Sequence, residues 1–347
     1  MNKIRKILYP LSLLYGEVVN ARNKAYEKGV LNSTSFTIPT IVVGNLNVGG
    51  TGKSPQIEYL VRLLKKDYRI AVLSRGYKRK SKGFQLANEN STSDQLGDEP
   101  FQFYKKFNNI IVAVDADRVN GINQLQQLET PPEVILLDDA FQHRKVNPGF
   151  TILLTDHQNL YVDDSMLPSG NLREKVDGAK RAQVIVVSKC PEDLNDEDQF
   201  RIAQKLQPEL NQTIFFSAIE YHNQVVNDKD KIDVLELEKF DVLLVTGIAK
   251  PKPLEQFLNV NNIKFKHLKY PDHHDFTESD KKKIRNSFES LKSNKKIILT
   301  TEKDYVRNFT VNQKNIYYLP IKTKFLDNEE DFNKLILNYV QQNAGNS

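Results

Sequence analysis

A lysine and a hydroxyl close a glycine-rich run in this chain: Asn47-Val48-Gly49-Gly50-Thr51-Gly52-Lys53-Ser54. Glycines let backbone N–H groups converge on phosphate oxygens with no side chain in the way. Lys53 adds a full positive charge, and Ser54 offers a hydroxyl to a divalent cation. The apolar run Thr40-Ile41-Val42-Val43-Gly44 precedes the loop and a helix-patterned stretch, Pro55 to Leu64, follows it. The loop is therefore expected to leave a strand and open a helix whose N-terminal dipole favours the same anion. Pro55 suits the first helical turn, where a missing N–H has no intrahelical partner. Further on, Val134-Ile135-Leu136-Leu137-Asp138-Asp139 has the form of an apolar strand delivering carboxylates to the metal ion of a bound nucleotide. Residues 47–54 are thus assigned to nucleotide phosphates, and Ser54 with Asp138 or Asp139 to Mg²⁺. Asn47 stands where the usual phosphate-loop pattern has glycine, and asparagine is the other residue type that best tolerates a left-handed backbone there.

Guanine recognition would need Asn-Lys-x-Asp, which neither Ser188-Lys189-Cys190-Pro191 nor Thr301-Glu302-Lys303-Asp304 supplies, so ATP is favoured. Partitioning-type ATPases carry a lysine where this chain has Val48. Leu96-Gly97-Asp98-Glu99-Pro100 sets adjacent carboxylates at a loop-to-helix junction, either as a helix cap or as acid–base equipment. Tyr270-Pro271-Asp272-His273-His274-Asp275-Phe276 concentrates two of the six histidines beside two aspartates. Adjacent histidines point different ways, so a histidine sharing a proton with a catalytic carboxylate is more economical than a metal site.

Apolar runs at 40–44, 70–74, 110–114, 133–137, 151–155 and 184–187 alternate with helical patterns. Such alternation implies an α/β fold of the P-loop NTPase type, a mostly parallel sheet with its ligand at the carboxyl ends of the strands. Ser74-Arg75-Gly76-Tyr77, Asp115-Ala116-Asp117-Arg118 and Asp138-Asp139 all follow such ends. A polar stretch after the β-like run 213–221 suggests a boundary, giving a core over 1–222 and a second, smaller α/β domain over 223–347. The run 316–321 resembles 213–221, and the two are expected to pair as a ribbon joining the domains, with the last strand and helix returning to the core.

With 347 residues and 39% hydrophobic content the chain can bury a sizeable core, which excludes disordered and fibrous classes. The single cysteine, Cys190, rules out an intramolecular disulfide framework and fits a reducing compartment. A net charge of +5 includes a basic run from Arg62 to Lys82, which is either a solvated face or a surface for anionic partners. That run has few interleaved aromatics, which argues against nucleic acid. No window approaches the roughly 20 apolar residues needed to span a bilayer. Near the start, Lys3, Arg5 and Lys6 precede the apolar segment Ile7 to Tyr15, but Pro10 and the lack of a small-x-small site oppose a cleaved signal peptide. On a helix, Ile4, Leu8, Leu11, Leu14 and Val18 share one face, so the segment of about residues 1–28 is either an interfacial anchor or a helix packed on the body.

Taken together, Gly44 to Pro55, Ser74-Arg75-Gly76-Tyr77, Gly97-Asp98-Glu99-Pro100, Asp117-Arg118, Asp138-Asp139-Ala140-Phe141-Gln142-His143-Arg144, Leu167-Pro168-Ser169-Gly170-Asn171-Leu172-Arg173-Glu174, Asp272-His273 and Thr301-Glu302-Lys303-Asp304 resemble the tetraacyldisaccharide 4'-kinase (lipid A 4'-kinase) family. That family also lacks glycine at the position of Asn47. The resemblance implies ATP- and Mg²⁺-dependent phosphorylation of the 4'-hydroxyl of a tetraacylated glucosamine disaccharide 1-phosphate, at the cytoplasmic face of the inner membrane and without a cleaved signal. It makes the interfacial reading of the N-terminal helix the leading one. It also implies Asp98 as the base, His273 from the second domain raising its competence on domain closure, and Lys53 on the β- and γ-phosphates. Arg118 and Arg173 would stabilise the transferred phosphoryl or grip the acceptor's 1-phosphate, while Tyr77, Glu99, Gln142 and His143 would line the site. A membrane-recruited ATPase switch that phosphorylates no lipid is the alternative.

Overall fold

The apolar runs of the first two thirds become strands, several buried from end to end, in a computed structural model that describes residues 5, 7–272, 274–309 and 314–344. The chain divides into two units, Met1–Ile219 with Thr323–Ser347, and Glu220–Lys322.

In the first unit the strands are β1 (Thr40–Asn45), β2 (Ile70–Ser74), β3 (Gln85–Leu86), β4 (Ile111–Val114), β5 (Val134–Asp138), β6 (Phe150–Asp156), β7 (Val184–Ser188) and β8 (Thr213–Tyr221). Together with β15 (Ile321–Phe325) they form one sheet in the order β15-β8-β7-β6-β1-β5-β2-β4-β3. From β8 through β7, β6, β1, β5 and β2 to β4 every adjacent pair is parallel, and β3 is antiparallel to β4. Consecutive strands β5 and β6 lie on opposite sides of β1. The connections therefore diverge at the carboxyl end of β1, where an open α/β sheet leaves a crevice for ligands.

Because side chains alternate along a strand, β1 feeds two cores. Ile41 and Val43 face one layer with Ile57, Leu60, Val61 and Leu64 of helix α2 (Lys53–Leu64) and with Phe332, Ile336 and Val340 of the C-terminal helix (Glu329–Ala344). Val42 and Leu46 face the other, with Leu73, Ile135, Leu137, Leu153 and Ile185. Each such side chain contributes about 1.5–3 kcal/mol on burial, and the layers fix α2 rigidly behind the loop that precedes it.

The N-terminal helix α1 (Tyr9–Glu27) reverses the usual arrangement. Its buried residues are Ser12, Gly16, Val19 and Asn23, whereas Leu11, Leu14 and Val18 are more than half exposed. Of the apolar face expected from the sequence, Leu8 is half-buried and Ile4 lies outside the described residues. Among the described residues no helix is long and apolar enough to cross a membrane.

In the second unit, β9 (Gln224–Val226), β10 (Lys231–Asp233), β11 (Asp241–Thr246), β12 (Phe265–Lys269), β13 (Lys296–Thr301) and β14 (Ile316–Leu319) form a sheet in the order β10-β9-β14-β13-β11-β12. The ribbon expected between 213–221 and 316–321 is displaced. Residues 316–319 pair with β13 and β9, and the strand beside β8 begins only at Ile321. Pro320 separates the two runs; without an N–H it cannot donate to a ladder, and its carbonyl takes the amide of His222 instead.

Candidate active site

The loop between β1 and α2 is shaped by two left-handed glycines, Gly49 (φ 117°) and Gly52 (φ 84°). Asn47 does not share that conformation, contrary to the sequence expectation. It forms an extended bridge with Leu172, and its Nδ2 donates to Asp164 Oδ2 at 2.8 Å, so its side chain ties the loop down from outside. Beside Gly49 and Gly50 the space is open: a methyl group at either would meet no atom within 4 Å. Helix α2 starts at Lys53 with no side-chain cap, which leaves its first amides to an incoming anion.

Asn45, at the end of β1, braces the loop from inside. Its Nδ2 donates to the carbonyl of Asn47 (2.7 Å), and its Oδ1 accepts from Lys53 Nζ (3.1 Å). On the far side, Ser188 Oγ donates to Thr51 O at 2.8 Å, and Lys189 Nζ donates to Gly50 O and to Asp156 Oδ2. The Ser188-Lys189 pair, which fails as a guanine reader, is therefore part of the loop's support.

Strand β5 delivers Asp138 and Asp139 beside this loop, as β1–β5 register places Val43 opposite Asp138. The two carboxylates differ. Asp139, in a left-handed conformation (φ 46°), lies 2.9 Å from Arg173 Nη1 and 3.6 Å from Lys53 Nζ. Burial would raise its pKa, but Lys53 and Arg173 outweigh that and hold it below the usual carboxylate value. Asp138 is buried and accepts from Ser74 Oγ at 3.1 Å. Burial first, and then the charge of Asp139, push it up to about 6. A buried carboxylate with a raised pKa, beside an open cradle, a half-buried Ser54 and a buried Thr51 hydroxyl that has no hydrogen-bond partner among the described residues, fits a phosphate-bound divalent cation. Among the described residues no cluster of three or more His, Cys, Asp or Glu could hold a metal by itself. Mg²⁺ sites built on one or two carboxylates plus substrate phosphates need no such cluster.

Arg118 begins helix α5 (Arg118–Gln126), the helix that follows α3 (Ser93–Leu96) and α4 (Asp98–Lys106). It is buried, and its Nη1 and Nη2 donate to the carbonyls of Asp115 (2.5 Å) and Asp138 (3.3 Å). Burial lowers its pKa to about 10. Its guanidinium is thus engaged with backbone carbonyls at the ends of β4 and β5. His143 Nε2 accepts from the Arg118 amide at 3.3 Å, and burial, then the Arg118 charge, holds it neutral with a pKa of about 4. Gln142 Nε2 donates to Asn45 O (2.9 Å) and Glu174 Oε1 (3.0 Å), and its Oε1 accepts from Arg173 (3.3 Å).

Asp98 and Glu99 occupy the first turn of α4, both half-buried, with Pro100 behind them. The position of that turn depends on two glycines. Gly76 (φ 70°) would bring an added Cβ within 2.8 Å of Leu96 O, and Gly97 (φ 88°) sits against the carbonyl of Tyr77. The loop after β2, with the exposed Tyr77, is thereby packed onto the start of the Asp98 helix.

In the second unit His274 pairs with Asp280 at 2.9 Å. His273 lies outside the described residues. Asp304 accepts from Gly247 N (2.9 Å) and Thr301 Oγ1 (2.7 Å), while the Thr301 hydroxyl caps the helix by accepting from Asp304 N (3.2 Å), so Thr301 and Asp304 build the start of that helix.

Asn45, Asp164, Glu174 and Lys189 were not singled out as site residues by sequence reasoning. Asn45 and Glu174 do lie within the motif segments; Asp164 lies outside them, and its link to the phosphate loop runs through Asn47, far away in sequence.

Residues 4–341 match the family described as Tetraacyldisaccharide-1-P 4'-kinase. A tetraacyldisaccharide 4'-kinase of Flavobacterium johnsoniae is 52% identical over 346 residues, covering 99% of each chain, and one from Bacteroides thetaiotaomicron is 44% identical over 363 residues, covering 99% of this chain and 96% of its own. Among solved structures, LpxK from Aquifex aeolicus in complex with ATP superposes with a TM-score of 0.78 at 31% identity, covering 97% of this chain and 99% of that one.

Proposed function

The chain belongs to the tetraacyldisaccharide-1-P 4'-kinase family of lipid A biosynthesis, and from that premise we propose how its residues carry out the phosphoryl transfer. ATP lies with its phosphates over residues 47–54. Lys53 neutralises the β- and γ-phosphates, the open face beside Gly49 and Gly50 admits their oxygens, and the uncapped start of α2 adds its dipole. Ser54 with Asp138 and Asp139 would hold Mg²⁺, which, when bound, supplies charge neutralisation across the transferred phosphoryl.

Asp98 takes the proton of the attacking 4'-hydroxyl, and His273 is proposed to raise its competence as a base. Arg173, paired with Asp139, would direct its charge to the phosphoryl or the acceptor's 1-phosphate. Arg118 balances the charge of Asp138 and Asp139. Tyr77 and Glu99 line the acceptor side, with Gln142 and His143 keeping the loop and α5 in place.

The membrane-resident acceptor fits α1, whose exposed Leu11, Leu14 and Val18 form the apolar face of an interfacial helix beneath a lipid surface. This supports a peripheral enzyme on the cytoplasmic side of the inner membrane.

The observation that carries the reading is the meeting of Lys53 with Asp139, next to the buried Asp138, where β5 ends beside β1 and its loop. Incubation with γ-labelled ATP and a tetraacyldisaccharide 1-phosphate acceptor tests it, with label expected in the lipid. Release of labelled phosphate with none in the lipid would favour a membrane-recruited ATPase instead.

A further inference from the structure

Helix α1 presents a polar, small-residue face to the protein. Ser12, Gly16 and Asn23 supply three of its four buried positions, so little apolar area holds the helix in place in water. What holds it is largely a set of directed bonds to one segment, residues 164–175, including a Glu17–Lys175 ion pair of 2.6 Å; nearer its C-terminus Glu27 and the Tyr26 ring also meet Arg144. Ser12 Oγ meets Ser169 Oγ at 2.8 Å, Tyr15 Oη donates to Arg173 O at 3.0 Å, and Asn23 Nδ2 donates to Glu174 Oε2 at 2.8 Å.

The same segment grips the phosphate loop. Asn171 O accepts from Val48 N at 2.8 Å, and Arg173 N donates to Leu46 O at 2.8 Å. Glu174 is the point where the two sets of bonds join. It is fully buried and accepts from Asn23 of α1, from Gln142 Nε2 and from Arg181 Nη2 (2.9 and 3.0 Å). That Gln142 nitrogen also donates to Asn45 O, and the Asn45 side chain holds both Asn47 and Lys53. From α1 to the phosphate lysine the path is Asn23, Glu174, Gln142, Asn45, Lys53, with every link a hydrogen bond of 3.1 Å or shorter.

We propose that Glu174 is a positioning residue that couples the lipid-facing helix to the phosphate loop, so that seating α1 on a lipid surface tightens nucleotide binding. This rests on the reading of α1 as the membrane-facing element. A helix held by few apolar contacts samples undocked positions. Each departure leaves the buried Glu174 carboxylate without one donor and loosens the brace under a glycine-rich loop. Covering the exposed Leu11, Leu14 and Val18 with lipid favours the docked position, and with it the preorganised cradle. By linkage, nucleotide must strengthen vesicle binding by the same factor.

The test measures the Kd of a non-hydrolysable ATP analogue for the full chain, with and without phosphatidylethanolamine–phosphatidylglycerol vesicles that contain no acceptor. Vesicle cosedimentation is followed in the same samples. We expect vesicles to tighten the analogue about fivefold or more, within the usual range of coupling between two sites. Asn23→Ala, which removes only the bond from α1, should still sediment with vesicles but show at most a twofold effect. Glu174→Gln should behave likewise where it folds. Vesicle binding by the wild type without any change in analogue Kd, or a full effect in Asn23→Ala, overturns the coupling alone. Failure of the wild type to sediment overturns both the coupling and the lipid-facing reading of α1.

Discussion

Arg173 Nη1 lies 2.9 Å from the same Asp139 carboxylate oxygen that Lys53 Nζ approaches at 3.6 Å. One acidic group thus joins the phosphate lysine to a cation carried in from residues 164–174. Its neighbour Asp138, one residue earlier, has no such ion pair among the described residues and is buried against Ser74. Two adjacent carboxylates thereby stand in different surroundings, Asp139 between two cations and Asp138 buried beside a hydroxyl.

That difference predicts opposite effects of Asp138→Asn on stability and activity. The folded pKa of about 6 lies above the ordinary 3.8, so the folded protein binds this proton more tightly than the unfolded chain. Ionised Asp138 therefore destabilises the ligand-free fold above pH 6, and the penalty fades as pH falls from 6 toward 4. The neutral isostere should raise the stability of the ligand-free protein at pH 8 by on the order of 2 kcal/mol while lowering phosphoryl transfer by orders of magnitude. Denaturant titrations at pH 5 and pH 8 check it: the variant's advantage should shrink at the lower pH. Wild-type affinity for Mg–nucleotide should also drop below pH 6.

Asn47→Gly restores the residue common at this position of phosphate loops, yet it should weaken the site. It removes the 2.8 Å bond to Asp164 and frees one more residue of an already glycine-rich loop. A loss of about 1–2 kcal/mol, or roughly tenfold in ATP-analogue affinity by calorimetry, is expected. Equal or better affinity would mean that the tie to Asp164 contributes nothing to binding.

Asp98→Ala and His273→Ala should each reduce transfer to the acceptor by orders of magnitude while ATP still binds. If they act as one unit, the double variant will be little worse than either single. Near wild-type rates in both would remove Asp98 from the role of base.

Leu11→Gln with Leu14→Gln and Val18→Gln changes side chains that are already exposed, so thermal stability should move little. Vesicle binding should fall, and apparent KM should rise for the lipid more than for ATP. Unchanged vesicle binding would return α1 to a purely packing role.

Local periodicity and loop chemistry are encoded within short stretches, and these were legible directly. Thr40 to Leu64 announces strand, cradle and helix, and Thr213 to Tyr221 announces a strand, because side-chain alternation, glycine content and apolar runs are properties of neighbouring residues. Positions that depend on residues far apart in the chain were not. The face of α1 that would pack could not be read from its apolar stripe, because the bonds that seat Ser12 and Asn23 on the body go to Ser169 and Glu174, more than 150 residues away. The conformation of Asn47 was set by Asp164 and Leu172, not by asparagine's own preference. Arg118 could be singled out from its place after a strand, but that its guanidinium is buried against the carbonyls of Asp115 and Asp138 depends on strands distant in sequence. The sequence by itself determined the fold class and the phosphate-binding chemistry. Only the tertiary structure decided which residues brace that chemistry, because hydrogen bonds between distant segments depend on where the packed sheet brings them together.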